Sequence, residues 1–387
     1  MKSCVQFGER AARGEVTAPT FLCTVRSEIK EKMIQHTKPF FDFAEIERIT
    51  TIIRSRNVNE GKESALLTAT ISNITGMKGG ISVSTGTLGL HIALKALGIE
   101  TEHDEVIIPD FACRSLFDCI KMAGGTPVFC DINLDDYSLD INSVRKALSS
   151  NSKAIILPHM YGCPADIDEF LKLGIPVIED CAHSLGASYR EHFVGSFGSF
   201  SVFSFEGSKL ISAGEGGIVL AKEEHLLNSL MILRHGLNGH FAYHYRLSDL
   251  IAAVALTQIE KLNSMIERRR YIAQLYREKL ECLERMGFIK LPRNFSDKKS
   301  VYYRFVVLCN FESANLIKFS NDRGILIRNP LPSGRLSNTF RDLKLHDNMN
   351  AERLAQNGIS LPIYPDLTDE EIIKVVGIIT SFCEERA

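Results

Sequence analysis

The sequence has no apolar run long enough to cross a membrane. The longest clean one in its helical part, residues 250–256, falls far short of the roughly 20 residues that a spanning helix needs. Nor is there a surplus of one charge. Lys and Arg number 45 against 47 Asp and Glu, a formal net of −2, which offers no global grip on a polyanion, so nucleic acid is not an expected partner. No C-x-x-C occurs among the ten cysteines, at 4, 23, 113, 119, 130, 163, 181, 282, 309 and 383. That argues against a zinc knuckle or redox dithiol and fits a reducing, cytoplasmic setting. The first residues carry Lys2, Glu9, Arg10 and Arg13 with no apolar stretch behind them, so no secretory signal is expected. Internal repeats and low-complexity tracts are also missing, as are G-x-G-x-x-G after the first strand and G-x-x-x-x-G-K-[ST] anywhere, the fingerprints of dinucleotide and P-loop sites.

What is present is an ordinary globular composition, 45% hydrophobic and 24% charged over 387 residues, more chain than one core usually covers. The reading is an arm at 1–38, a large domain at 39–265 and a small C-terminal domain at 266–387. From Gly79 to Lys222 short β-branched runs alternate with segments that can wind back as helices, the rhythm of an α/β fold with a mainly parallel sheet and helices on both faces. Seven strands are expected, at 81–84, 105–109, 127–131, 154–158, 176–179, 199–205 and 217–221. Leu90, Ala93, Leu94 and Leu97 share one face at helical spacing and Gly98 follows as a stop, which predicts a helix over 88–97. Two longer helices are expected at 247–262 and 266–286, with the domain joint around 263–270. The run Arg268, Arg269, Arg270 reads as a solvated helix face. Further on, 302–308 alternates like a strand and 369–382 reads as a helix started by the cap signal at Thr368.

In open α/β sheets ligands collect outside the carboxyl ends of the strands, and the polar residues there form a short list. The first strand runs through Ser84, Thr85, Gly86 and Thr87 into a helix, where free N–H groups and hydroxyls suit a phosphate, although Ser and Thr in that place are often plain N-caps. The fifth ends in Glu179 and Asp180, with His183 three residues on; the alternatives are catalysis and a capped turn with a core histidine. No second pair of ligands stands nearby, so no metal is expected. After the sixth strand a single lysine, Lys209, sits among small, hydroxyl and apolar residues, either as a desolvated nucleophile or as a surface lysine in a glycine-rich loop. Side by side, a phosphate cradle, a carboxylate at a strand end and such a lysine match what pyridoxal 5'-phosphate requires: its phosphate held, its ring nitrogen kept protonated and its aldehyde bound by an amine.

With these blocks in order, and with Gly124 to Asp131, His159 to Gly162, Phe203 to Gly217 and Ser360 to Ile363, the chain from about Lys38 onward resembles the DegT/StrS-type sugar aminotransferases of fold type I. The resemblance implies a pyridoxal-phosphate-dependent transfer of an amino group from an amino acid, usually L-glutamate, to a keto-sugar, often nucleotide-linked. Lys209 would bind the coenzyme aldehyde and shuttle the proton between Cα and C4′; Asp180 would pair with the ring nitrogen; His183 would lie near the phenolic oxygen. Ser204, Gly86, Thr87 and the Leu88 backbone would hold the phosphate. The family works as a homodimer in which a Gly-x-Asn-x-Arg segment of the neighbouring subunit reaches the phosphate, and this chain has Ala242, His244 and Arg246 at those places. Two other departures are Cys113, where an aromatic often stacks on the coenzyme and Phe111 is an alternative, and Glu206, where many members carry His or Tyr facing substrate; Arg246 is the other expected substrate contact. A sugar 3-dehydratase, in which histidine replaces the lysine, and a non-catalytic sensor of the same fold are the competing functions.

Overall fold

The computed structural model describes residues 33–339 and 348–386; most of the arm expected at 1–38 lies outside them. Seven strands form the central sheet: β1 (Gly79–Val83), β2 (Glu105–Pro109), β3 (Thr126–Cys130), β4 (Ser152–Pro158), β5 (Val177–Asp180), β6 (Phe200–Ser204) and β7 (Gly217–Ala221). Their spatial order is β1-β7-β6-β5-β4-β2-β3. All adjacent pairs are parallel except the two made by β7, which runs against β1 and β6. Each expected strand is found within a residue or two, because β-branched runs closed by turns leave the backbone few alternatives. Along β2 the alternation sorts Val106 and Ile108 onto one face with Leu90 and Ala93 of the helix Gly86–Ala96, and Ile107 onto the other with Val144 and Phe170. Helices therefore cover both faces, and the carboxyl ends of the parallel strands share one rim.

The two long helices expected after the sheet are one, Asp249–Arg285. No glycine or proline falls between 249 and 285, so nothing breaks the hydrogen-bond ladder. Leu262, Met265 and Ile266 pack with the sheet side, whereas Ile272, Tyr276, Leu280 and Leu283 pack in a second core. That core is roofed by the antiparallel strands β8 (Ile289–Lys290), β9 (Phe305–Cys309) and β10 (Gly358–Leu361) and by the helix Asp369–Glu384, whose capping box joins Thr368 and Glu371. The arginine run is not a solvated face. Arg269 is buried and its Nη1 donates to the carbonyls of Tyr302, Tyr303 and Ile363, Arg270 donates to that of Ser300, and Arg268 pairs with Asp369. These contacts pull 302 and 303 out of the expected strand, which starts at Phe305, and Tyr302 takes a left-handed backbone at φ 47°. Among the described residues no helix is long and apolar enough to cross a membrane.

Candidate active site

A cavity of about 410 Å³ opens at the carboxyl rim of the sheet and is lined by residues from β5, β6, the helix after β1 and the turn after β6. Its floor is set by glycine. A Cβ on Gly86 would stand 2.9 Å from the Cβ of Ser204, and one on Gly217 would stand 2.6 Å from the carbonyl of Phe203 and 3.1 Å from the nitrogen of Gly86. Glycine at both places lets the first helical turn lie against the end of β6, so Gly86, Thr87 and the Ser204 hydroxyl share one corner of the cavity. Thr85 is the N-cap, in extended backbone, and its Oγ1 accepts from the Leu88 N–H at 3.2 Å. Leu88 is thereby already partnered and does not line the cavity, whereas first-turn N–H groups lack intrahelical acceptors.

Asp180 ends β5 at the cavity wall. Its Oδ1 accepts from the Ala182 N–H at 3.0 Å, and burial raises its carboxyl above the usual range against the pull of that bond and of Lys209. Glu179 points the other way. Its oxygens accept from His159 and from the N–H groups of Gly195, Phe197 and Gly198; burial works to raise this carboxyl too, but the bonds outweigh it and the group lies below its usual range. His159, Glu179 and Cys181 come within ligand reach of one another, yet Glu179 already spends both oxygens on these bonds. The strand-end acid facing the cavity is thus Asp180 alone.

His183 lies between two aromatic rings, 4.2 Å from Tyr303 at an interplanar angle of 18° and 6.3 Å from Tyr161 at 9°. Burial, with Lys209 and Arg304 nearby, holds it well below the usual histidine range, so its ring is neutral. Lys209 is half-buried in the turn after β6, with Nζ 5.4 Å from the centroid of Tyr303; it is neither a surface lysine nor a fully enclosed one. Glu206 lines the same wall, its Oε2 accepting from the Ser208 hydroxyl at 2.6 Å and the Ser208 N–H at 3.1 Å.

The remaining expectations divide. Cys113 lines the cavity with an exposed thiol that donates to Ser115 at 3.3 Å. Phe111 is fully buried in a separate cluster with Tyr137 and Met160, and does not line the cavity, so it cannot substitute for the stacking aromatic. His244 and Arg246 do not line it either: both are exposed, and Arg246 approaches Glu60 at 3.9 Å. They are not contacts of their own chain's site. Tyr303, Met160 and Glu215 were not anticipated. Tyr303 stands in a strand-like run, where an aromatic reads as core, and its closeness to Lys209 arises only through the tertiary fold.

The arrangement fits pyridoxal phosphate on its own geometry: a glycine-floored corner with a hydroxyl for the phosphate, a buried carboxylate for the ring nitrogen, a neutral imidazole and one amine. Comparison with known proteins agrees. The DegT/DnrJ/EryC1/StrS aminotransferase family matches residues 41–380. The GDP-perosamine synthase of Escherichia coli O157:H7 is 31% identical over 319 residues, 79% of this chain and 86% of that one. Among solved structures, DesV of S. venezuelae superposes with a TM-score of 0.80 at 26% identity, covering 90% of this chain and 99% of that one. The PLP form of the sugar aminotransferase Spr1654 from Streptococcus pneumoniae, described as putative, shares the fold at a TM-score of 0.84 and 23% identity, covering 91% and 99%. With Lys209, Asp180, Gly86 and Ser204 lining one cavity and the family match running from residue 41 to 380, this chain belongs to the DegT/DnrJ/EryC1/StrS family and is a pyridoxal-phosphate-dependent aminotransferase.

Proposed function

We propose that the enzyme moves an amino group from L-glutamate to a keto group on a nucleotide-linked sugar. The observation that carries the reading is the meeting of Lys209, Asp180, His183 and Ser204 in one cavity; the sugar is supported by relatives such as the perosamine synthase, and the glutamate donor by the family resemblance. When bound, the coenzyme supplies the electron sink that lets an amino acid give up its Cα proton. The chain's residues do the rest. Gly86, Thr87 and Ser204 would hold the phosphate, Asp180 would pair with the ring nitrogen and keep it protonated, and His183 would lie near the phenolic oxygen. The Lys209 amine would hold the aldehyde and, when free, would be the base that moves the substrate's Cα proton. Glu206 offers an acceptor to sugar hydroxyls, and Cys113 leaves room where an aromatic would stack.

The exposed His244 and Arg246 are assigned to the cavity of a second copy, in a homodimer. The joint between a large coenzyme-holding part and the small C-terminal part is assigned to residues 263–270 within the helix Asp249–Arg285, where its packing passes from one core to the other. The test is Lys209→Ala: turnover with glutamate is expected to vanish, and borohydride treatment of the reconstituted wild type should label the peptide containing Lys209. Retained turnover in the variant, or label on another peptide, would refute the assignment.

A further inference from the structure

Tyr303 touches two of the groups that the proposed chemistry depends on, Lys209 and His183, although it lies in the second half of the chain and outside the sheet that builds the cavity. Its ring face is 4.2 Å from His183, the closest ring pair that either residue makes. The Lys209 ammonium lies 5.4 Å from its centroid, within the range of a cation–π contact. The phenol, 3.2 Å from the Ser208 hydroxyl, closes a chain that continues 2.6 Å to Glu206. Burial works to raise this phenol, but Lys209, Arg304 and the bond to Ser208 outweigh it and hold it below its usual range. The backbone is anchored as well: the Tyr303 carbonyl accepts from the buried Arg269, and two residues earlier the Val301 N–H donates to the Gly162 carbonyl at 3.0 Å.

We propose that Tyr303 is the positioning residue of this site: its ring sets Lys209 and His183 relative to one another, and its hydroxyl, through Ser208, fixes the turn that carries Lys209. The turn is closed from within by the Lys209 N–H donating to the Glu206 carbonyl at 2.8 Å and the Gly207 N–H donating to the Gly214 carbonyl at 3.1 Å, and the Tyr303 hydroxyl ties it from outside, where Gly207 leaves open space beside it. These bonds fix the backbone and leave the long Lys209 side chain to be placed by what it packs against. A long flexible amine must nevertheless meet one carbon of the coenzyme and later one proton, and freezing it beforehand lowers the entropy lost at that moment. The aromatic face also gives the lysine a defined resting place when it is not bonded to the coenzyme. The two ends of the side chain thus have separable tasks, the ring for the lysine and the imidazole, the hydroxyl for the turn.

This rests on the assignment of Lys209 and His183 above, and the wild type tests that assignment first: if borohydride does not attach the coenzyme to Lys209, the functional reading fails before any variant is compared. Given labelling, Tyr303→Leu, Tyr303→Phe, Ser208→Ala and the double variant Tyr303→Phe/Ser208→Ala are titrated as full chains with pyridoxal 5'-phosphate, recording the dissociation constant and the visible circular dichroism of the bound coenzyme. Tyr303→Leu is expected to weaken binding about tenfold and to reduce the dichroism. Phenylalanine restores the ring, so Tyr303→Phe should recover most of the dichroism; Ser208→Ala cuts the bond to Glu206 as well as the link to Tyr303 and should lose at least as much as Tyr303→Phe, and the double variant should be no worse than Ser208→Ala, because the Tyr303–Ser208 link is already cut in it. Wild-type dichroism in Tyr303→Leu, no rescue by phenylalanine, or additive losses in the double variant would each overturn the proposal. Ser208→Ala removes a single hydroxyl from a half-buried turn and keeps the test open should Tyr303→Leu fail to fold.

Discussion

Glu179 and Asp180 are neighbours in sequence, both buried, and the structure gives them opposite work. Replacing Glu179 with Gln separates the two roles. One Glu179 oxygen accepts from Phe197 at 2.8 Å and Gly198 at 2.7 Å, the other from Gly195 at 2.7 Å and His159 at 3.0 Å. His159 accepts at Nδ1 from the Ala165 N–H, which leaves Nε2 as the donor. An amide keeps one oxygen and turns an NH2 toward two other donors. At about 1.5–3 kcal/mol for each hydrogen bond to a charged group, losing two costs about 3–6 kcal/mol, a large share of the roughly 5–15 kcal/mol that holds a domain. The loop at 195–198 is packed closely there, with the Ser199 N–H donating to the Val177 carbonyl at 2.8 Å and no room for a Cβ on Gly198, which would lie 2.5 Å from that carbonyl. Urea unfolding of the coenzyme-free protein should show the loss. The pH dependence gives a second readout: a carboxyl lowered in the folded state stabilises fully above its unfolded value of about 4.3, and that stabilisation is lost as pH falls through the folded value. Glu179→Gln should therefore flatten the acid limb of the stability curve. A loss below about 1 kcal/mol, or an unchanged acid limb, would refute the account.

Asp180→Asn should do the reverse: burial penalises the ionised carboxylate, so the coenzyme-free variant is expected to be at least as stable as wild type at neutral pH by the same unfolding assay, while turnover falls by several powers of ten, each about 1.4 kcal/mol of barrier. Gly86→Ala should weaken pyridoxal phosphate binding in an equilibrium titration, because the added methyl must push Ser204 aside from 2.9 Å. Arg269→Met leaves the carbonyls of Tyr302, Tyr303 and Ile363 without their shared buried donor; a loss of about 2–4 kcal/mol in urea unfolding is expected, and a change within experimental error would restore the solvated-face reading.

Much of this protein was written in short-range pattern. The seven strands, the helix beginning at Gly86 and the capping box at Thr368 follow from residue spacing over a few positions, and such rules act before any distant segment arrives. The neighbourhood of the site was legible for the same reason: once the strands are placed, so are the Glu179–Asp180 pair and the turn that carries Lys209, whereas the parts given to Asp180 and Ser204 came from the family resemblance. What spacing could not decide was which of two adjacent acids faces the cavity, because the choice depends on the loop at 195–198 surrounding Glu179. Nor could it show that Arg269 is buried, since the carbonyls that receive it come from 302, 303 and 363. His244 and Arg246 matched a motif position, but where they point depends on the whole surface. Tyr303 marks the limit most plainly. It meets Ser208 across 95 positions of chain and packs in the same buried cluster as Phe205 and Leu210, and no periodicity records a contact between segments so far apart.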